Sequence, residues 1–66
     1  MNRPFGAWLL LQEGRGDRVG DLARDFRYAG VGAVTVDEVT RHMQASRASE
    51  AAMNALDAAV LEWMRS

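Results

Sequence analysis

The segment Asp17–Phe26, DRVGDLARDF, shows the clearest helical periodicity in this chain of 66 residues. Its apolar side chains recur at i, i+3, i+4 and i+7, which places them on one face of a helix. They are Val19, Leu22, Ala23 and Phe26. Asp17 is a natural N-cap, because its carboxylate can accept from free N–H groups of the first turn. We expect this segment to form the central helix of the fold.

An earlier helix is predicted at Pro4–Glu13, with Asn2 as its cap and Gly14, in the left-handed conformation, as its stop. Its inner stripe consists of Phe5, Trp8, Leu9 and Gln12. Leu10 and Leu11 fall off this stripe. They either flank a broad buried face or, for Leu10, belong to a surface that contacts a partner.

The glycines at positions 30 and 32 end the second helix and predict an irregular segment, in which Val31 and Val34 pack into the core. Thr35 and Glu38 have the spacing of a capping box, so a third helix should begin at Val36. Its inner stripe is Val36, Val39, Thr40 and Met43.

The fourth helix is predicted from Arg47 to Met64, with Ser46 as its cap. Its apolar stripe consists of Ala52, Met53, Leu56, Ala59, Val60 and Trp63. Ala51, Ala55 and Ala58 are expected on the opposite face, with Leu61 beside them. Such a face reflects either high helix propensity or close contact with a second helix in a dimer.

Composition limits the class of protein. The sequence predicts one domain, residues 1–66, with an all-α fold: a compact four-helix bundle around Trp8, Leu22, Phe26, Leu56 and Trp63. Cysteine is absent, so neither disulfides nor thiolate metal sites are available. The longest apolar run, Ala7–Leu11, is too short to span a membrane, and no signal peptide is predicted, which favours a cytoplasmic protein.

The sequence lacks the residue groups that carry out reactions. Lysine and cysteine are absent, and His42, the only histidine, is expected on the solvated surface. Asp17, Asp21 and Asp25 share one face of the second helix, where a cation or basic partner could bind, but interleaved arginines favour a solvated face. We therefore predict no enzyme activity, no cofactor, no metal site and no small-molecule substrate.

The pattern Phe5-x-x-Trp8-Leu9-x-x-Gln12 followed by Val19-Gly20-Asp21-Leu22-Ala23-Arg24-Asp25 resembles the YozE SAM-like family of small bacterial proteins. The resemblance covers residues 5–26. It implies a four-helix bundle similar to sterile-alpha-motif domains, a fold used for protein interaction and polymerisation and, in some members, for nucleic-acid binding.

Two functions follow as hypotheses. The first is a protein-interaction module, with self-association among its predicted roles. Its predicted partner surface consists of Leu10, Ala51, Ala55, Ala58 and Leu61. The alternative is a nucleic-acid-binding domain that uses Arg15, Arg18, Arg41 and Arg47. A net charge of −1 disfavours the alternative, because phosphate binding depends on excess positive charge. A phage or plasmid protein that inhibits a host factor would have the same features as the first.

Overall fold

The computed structural model describes residues 3–28 and 35–66. Within these ranges the chain forms four α-helices and no strand: α1 Phe5–Leu10, α2 Arg18–Tyr28, α3 Val36–Ala45 and α4 Glu50–Arg65. The predicted all-α four-helix bundle is confirmed. Helices α1 and α4 each contact the other three, whereas α2 contacts only α1 and α4 among the described helices. The prediction that α2 is the central helix is therefore wrong.

The core contains the apolar stripes of all four helices. Its buried side chains are Phe5, Trp8, Leu9, Val19, Leu22, Ala23, Phe26, Val39, Met43, Ala55, Leu56 and Ala59. The four residues predicted to line α2 are all among them. Val36, Met53, Val60 and Trp63 are half-buried and pack against this cluster. Burial of these side chains is the main favourable term in folding a chain without disulfides.

Aromatic contacts join the two ends of the described chain. The ring of Phe5 stacks on Trp8, with centroids 6.1 Å apart, and meets the edge of Trp63 at 5.5 Å. The indole N–H of Trp63 donates to the carbonyl of Arg3 at 2.8 Å. The start of α1 is thus fixed to the last turn of α4.

Helix α1 ends at Leu10, earlier than predicted. The chain continues through tighter turns in which the N–H groups of Leu11, Gln12 and Glu13 bond to carbonyls three residues earlier. Gly14 does not adopt the left-handed conformation, so its predicted role as a helix stop is wrong. Instead, the guanidinium of Arg24 donates to the carbonyls of Glu13 and Arg15, at 2.6 and 3.0 Å.

Helix α2 begins as predicted. The carboxylate of Asp17 accepts from the N–H of Gly20 at 3.0 Å, which is the geometry of an N-cap. Gly20 is buried because the backbone of Arg15 crosses directly over it. The close approach that Gly20 allows is therefore made by the preceding loop rather than by another helix.

The capping box of α3 is confirmed: Thr35 Oγ1 accepts from the N–H of Glu38, and the Glu38 carboxylate accepts from the N–H of Thr35. The predicted start of α4 is wrong. Its cap is Ser49, whose hydroxyl accepts from the N–H of Ala52 at 3.1 Å, and its first residue is Glu50.

The segment assigned by prediction to the start of α4 terminates α3 instead. Arg47 has a φ of 54°, in the left-handed region. The N–H of Arg47 bonds to the carbonyl of Gln44 at 3.2 Å, and that of Ala48 to Met43 at 2.9 Å. These two bonds form a Schellman motif, with arginine where glycine is usual. Ser46 lies inside it, and its hydroxyl donates to the carbonyl of His42.

Two sequence expectations lie outside the described residues. They are the capping of the first helix by Asn2 and the packing of Val31 and Val34, in the segment with glycines 30 and 32, against the core.

Candidate protein-interaction surface on helix 4

The side of α4 that faces away from the core forms a continuous surface, here named the α4 outer face. Its residues recur at spacings of three and four along the helix and are exposed, apart from the half-buried Ala58. They are Glu50, Ala51, Asn54, Asp57, Ala58, Leu61, Met64 and Arg65. The face runs the full length of a helix of 16 residues.

The structure separates the residues that were predicted to bind a partner. Leu61 is 54% exposed and Ala51 is also exposed, so both lie on the α4 outer face. Ala55 is only 4% exposed and belongs to the core, so its predicted place on the opposite face is wrong. Its side of the helix packs against α2, where it lines a groove with Leu22.

Leu10 is 38% exposed, and Leu11 is more exposed still, at 61%, so neither belongs to the buried core. A partner contact at Leu10 stays a prediction. Met64, 56% exposed, was not identified from the sequence. Its spacing of three residues from Leu61 was the available signal, because residues at that spacing share a helix face.

Leu61 forms a ridge between two shallow grooves. One groove lies towards α2 and is lined by Arg18, Asn54, Asp57, Ala58, Glu62 and Arg65. The other lies towards α3 and is lined by Val36, Thr40, Met53, Leu56, Asp57 and Val60. Leu61 lines both. A leucine in this position offers a partner an apolar contact with recesses on either side.

The α4 outer face also carries charges of both signs that form no ion pair with another described residue. Within residues 3–28 and 35–66, Glu50, Asp57 and Arg65 form no ion pair, and neither does Arg18 at the edge of the face. An apolar ridge between unpaired charges is typical of the centre and rim of a protein interface.

The arginine beside this face, by contrast, is fully engaged. The guanidinium of Arg15 pairs with Glu62 of α4 at 2.5 Å and with Asp17 at 2.6 Å. These hydrogen bonds raise the pKa of Arg15 above its usual value, with Glu62 contributing most. The bond from Arg15, followed by that from the N–H of Gly20, lowers the pKa of Asp17. Arg15 therefore holds the loop before α2 against α4.

The arginines proposed to bind nucleic acid do not share one environment. Arg15 is neutralised by Asp17 and Glu62, and Arg41 pairs with Asp37 at 2.6 Å on α3. Arg18 lies at the edge of the α4 outer face. Arg47 is exposed in the turn after α3. Carboxylates beside two of the four reduce the positive potential that a phosphate backbone would need.

Other arginines pair near the end of α2. Arg24 pairs with Asp21, and Arg27 pairs with Glu13, which raises the pKa of Arg27. Tyr28, 91% exposed, lines a groove with Glu13, Arg24 and Arg27. Asp17 and Asp21, on the predicted acidic face of α2, are thus paired with arginines.

His42, predicted on the solvated surface, is half-buried. It lines an open groove between α2 and the turn after α3, together with Asp25, Ser46 and Ser49 over an apolar floor. In the described part of the chain, no group of three or more histidine, aspartate or glutamate side chains could hold a metal ion.

Comparison of the chain with family models, with curated proteins and with solved structures gave no match. The resemblance to the YozE SAM-like family stays a prediction. Among the described helices, none combines the length and the apolar character needed to cross a lipid bilayer.

Proposed function

We propose that this protein is a small, non-enzymatic interaction module that binds another protein through the α4 outer face. The observation that carries the proposal is the coincidence of exposed Leu61 and Met64 with the unpaired charges of Glu50, Asp57 and Arg65. Elsewhere in the described chain, five arginine–carboxylate pairs satisfy most of the charged groups.

Burial of the two apolar side chains supplies a reason to associate. At about 25 cal/mol per Å² of apolar surface, covering Leu61 and Met64 would contribute roughly 2–4 kcal/mol before the cost of association. The surrounding charges contribute mainly to orientation and to the choice of partner.

Nucleic-acid binding is the weaker candidate on the same criteria. Arg15 and Arg41 already have carboxylate partners, and breaking those pairs would oppose any gain from phosphate contacts. The net charge of −1 acts in the same direction.

We also propose the type of organism and the cellular compartment in which this protein acts. The resemblance to the YozE SAM-like family supports a bacterial protein, and the short apolar runs of the sequence favour the cytoplasm. An inhibitor of a host factor, encoded by a phage or plasmid, would be one form of such a module.

The proposal is tested with immobilised wild-type chain and two variants of matched chemistry. Leu61→Glu places a charge at the centre of the α4 outer face. Tyr28→Glu makes the same type of change, an exposed apolar side chain to glutamate, in a groove that no α4 residue lines. Proteins retained from lysate are identified, purified and titrated against all three chains.

We expect a partner that binds the wild type and Tyr28→Glu equally and binds Leu61→Glu at least about tenfold more weakly. Leu10→Glu then shows whether the contact reaches the end of α1. A partner insensitive to Leu61→Glu, or sensitive to both glutamates alike, would refute the assignment to this face.

A further inference from the structure

The side chains of the α4 outer face differ in size between the two halves of the helix. This difference indicates which kind of partner can pack against the face. Its uncharged side chains are small in the amino-terminal half, at Ala51 and Asn54, and at Ala58 just past the midpoint. They are large and apolar in the carboxyl-terminal half, at Leu61 and Met64. Two helices pack well when large side chains of one fill the spaces above small side chains of the other.

We infer that the α4 outer face binds a second copy of this chain, with the two α4 helices antiparallel about a two-fold axis. This inference rests on the proposed function and names its partner. An axis that passes between Asp57 and Ala58 places Met64 of each copy opposite Ala51 of the other, and Leu61 opposite Asn54. A parallel arrangement would instead set large against large and leave the small half unfilled.

Charge supports the same orientation. Glu50 is the first residue of α4 and Arg65 the last, roughly 22 Å apart along a helix that rises about 1.5 Å per residue. Neither forms an ion pair within the described residues. The antiparallel arrangement brings Glu50 of each copy to Arg65 of the other, twice per dimer. A parallel one would bring like charges together.

The two Asp57 carboxylates come close to the axis, which opposes association. Arg18 lines the same groove as Asp57 in each copy and offsets part of that repulsion. The net balance of charge across the face therefore still favours the antiparallel pair.

The expected dimer is weak. The contact is made by one helix per copy. We therefore expect it to bury less than the roughly 1,200 Å² of total surface usual for stable complexes. We therefore expect a dissociation constant of roughly 10–500 µM, in the range of transient association.

The test is sedimentation equilibrium of the purified chain and its charge-reversal variants. Glu50→Arg and Arg65→Glu each place like charges together across the two-fold axis, and each should raise the dissociation constant at least about fivefold. An equimolar mixture of the two variants restores both pairs in the heterodimer. The double variant E50R/R65E restores them in the homodimer. Both should return the dissociation constant to within about twofold of wild type.

These variants also separate docking from helix stability. Each substitution places a charge that is unfavourable to the α4 dipole, and the double variant does so at both ends of the helix. The double variant should therefore have the least stable α4 helix, although its dimer is restored. Thermal melts of each chain report that effect independently.

A wild-type chain that stays monomeric up to about 1 mM would overturn the inference. So would single variants that dimerise like wild type, or a mixture that fails to recover. A monomeric chain that still binds a different protein in a Leu61-dependent way would overturn the inference alone and leave the proposed function standing.

Discussion

Replacement of Gly20 by alanine should destabilise the protein, although alanine is the better helix former by about 1 kcal/mol. A Cβ atom at this position would lie 2.8 Å from the carbonyl carbon of Arg15 and closer still to its oxygen. Backbone atoms cannot rotate away as a side-chain tip can, so the loop before α2 must move. The same carbonyl accepts a hydrogen bond from Arg24 at 3.0 Å, which that movement would break.

The magnitude follows from these opposing effects. Overpacking costs about 1–3 kcal/mol, and loss of the partly exposed Arg24 bond costs about 1.5 kcal/mol, the lower end for a charged donor. After subtraction of the gain in helix propensity, Gly20→Ala should lose about 1.5–3.5 kcal/mol. For a domain of this size, that corresponds to a melting temperature lower by roughly 10 °C or more.

Thermal and urea unfolding, followed by circular dichroism, measure the loss. Gly16→Ala is the matched control, because a Cβ there has no atom within 4 Å. It should lie within about 0.5 kcal/mol of wild type. Equal stability of Gly20→Ala and wild type would show that Arg15 does not cross α2 as described.

Three further substitutions test the local structure. Arg47→Gly should stabilise by about 0.5–1 kcal/mol in urea unfolding, because relief of the left-handed conformation outweighs the entropy of glycine. Ser49→Ala should cost about 1 kcal/mol through loss of the α4 cap, more than Ser46→Ala costs. Asp17→Asn keeps a capping side chain but removes the charge opposite Arg15. Folding lowers the pKa of Asp17, so the ionised carboxylate stabilises the fold at pH values above its ordinary pKa of 3.8. This stabilisation is lost as the pH falls through the lowered pKa.

Each of these expectations has an outcome that contradicts it. Arg47→Ala keeps the strain and should show no gain, so equal gains from alanine and glycine would argue against the left-handed conformation. A larger effect at Ser46 than at Ser49 would move the start of α4 to the position predicted from sequence. The stability difference between wild type and Asp17→Asn should disappear as the pH falls below the lowered pKa of Asp17, and a difference independent of pH would exclude the pair with Arg15.

Features that depend on neighbouring residues could be predicted from the sequence. The α2 stripe and the capping box at Thr35 follow from spacing alone, since both are set within one or two turns of helix. The four-helix architecture followed from such local patterns. The end of α1 did not, because the chain tightens into turns after Leu10 and the loop beyond them is held by Arg24, a residue of α2 that is distant in sequence.

The start of α4 was ambiguous for a different reason. Ser46 and Ser49 both precede a helical segment and both are good caps. The choice between them depends on the left-handed conformation of Arg47, which arginine rarely adopts and no sequence pattern indicates.

The candidate surface was partly predictable. Leu61 was identified because it falls off the apolar stripe, and its exposure agrees with that. Ala55 was misplaced because the stripe of α4 is broader than its leucine and tryptophan positions suggest, and α2 covers the additional side. The unpaired state of Glu50 and Arg65 depends on which other charges the fold brings near, so it required the structure.

The claim that two copies of the chain associate through α4 is tested most directly by backbone amide NMR spectra of the wild-type chain during dilution from about 1 mM to about 20 µM. We expect concentration-dependent shifts that cluster at residues 50–65, centred on Leu61, and that are absent from the spectra of Leu61→Glu. Shifts centred on α3, or spectra of wild type and Leu61→Glu that respond alike to dilution, would contradict self-association through α4.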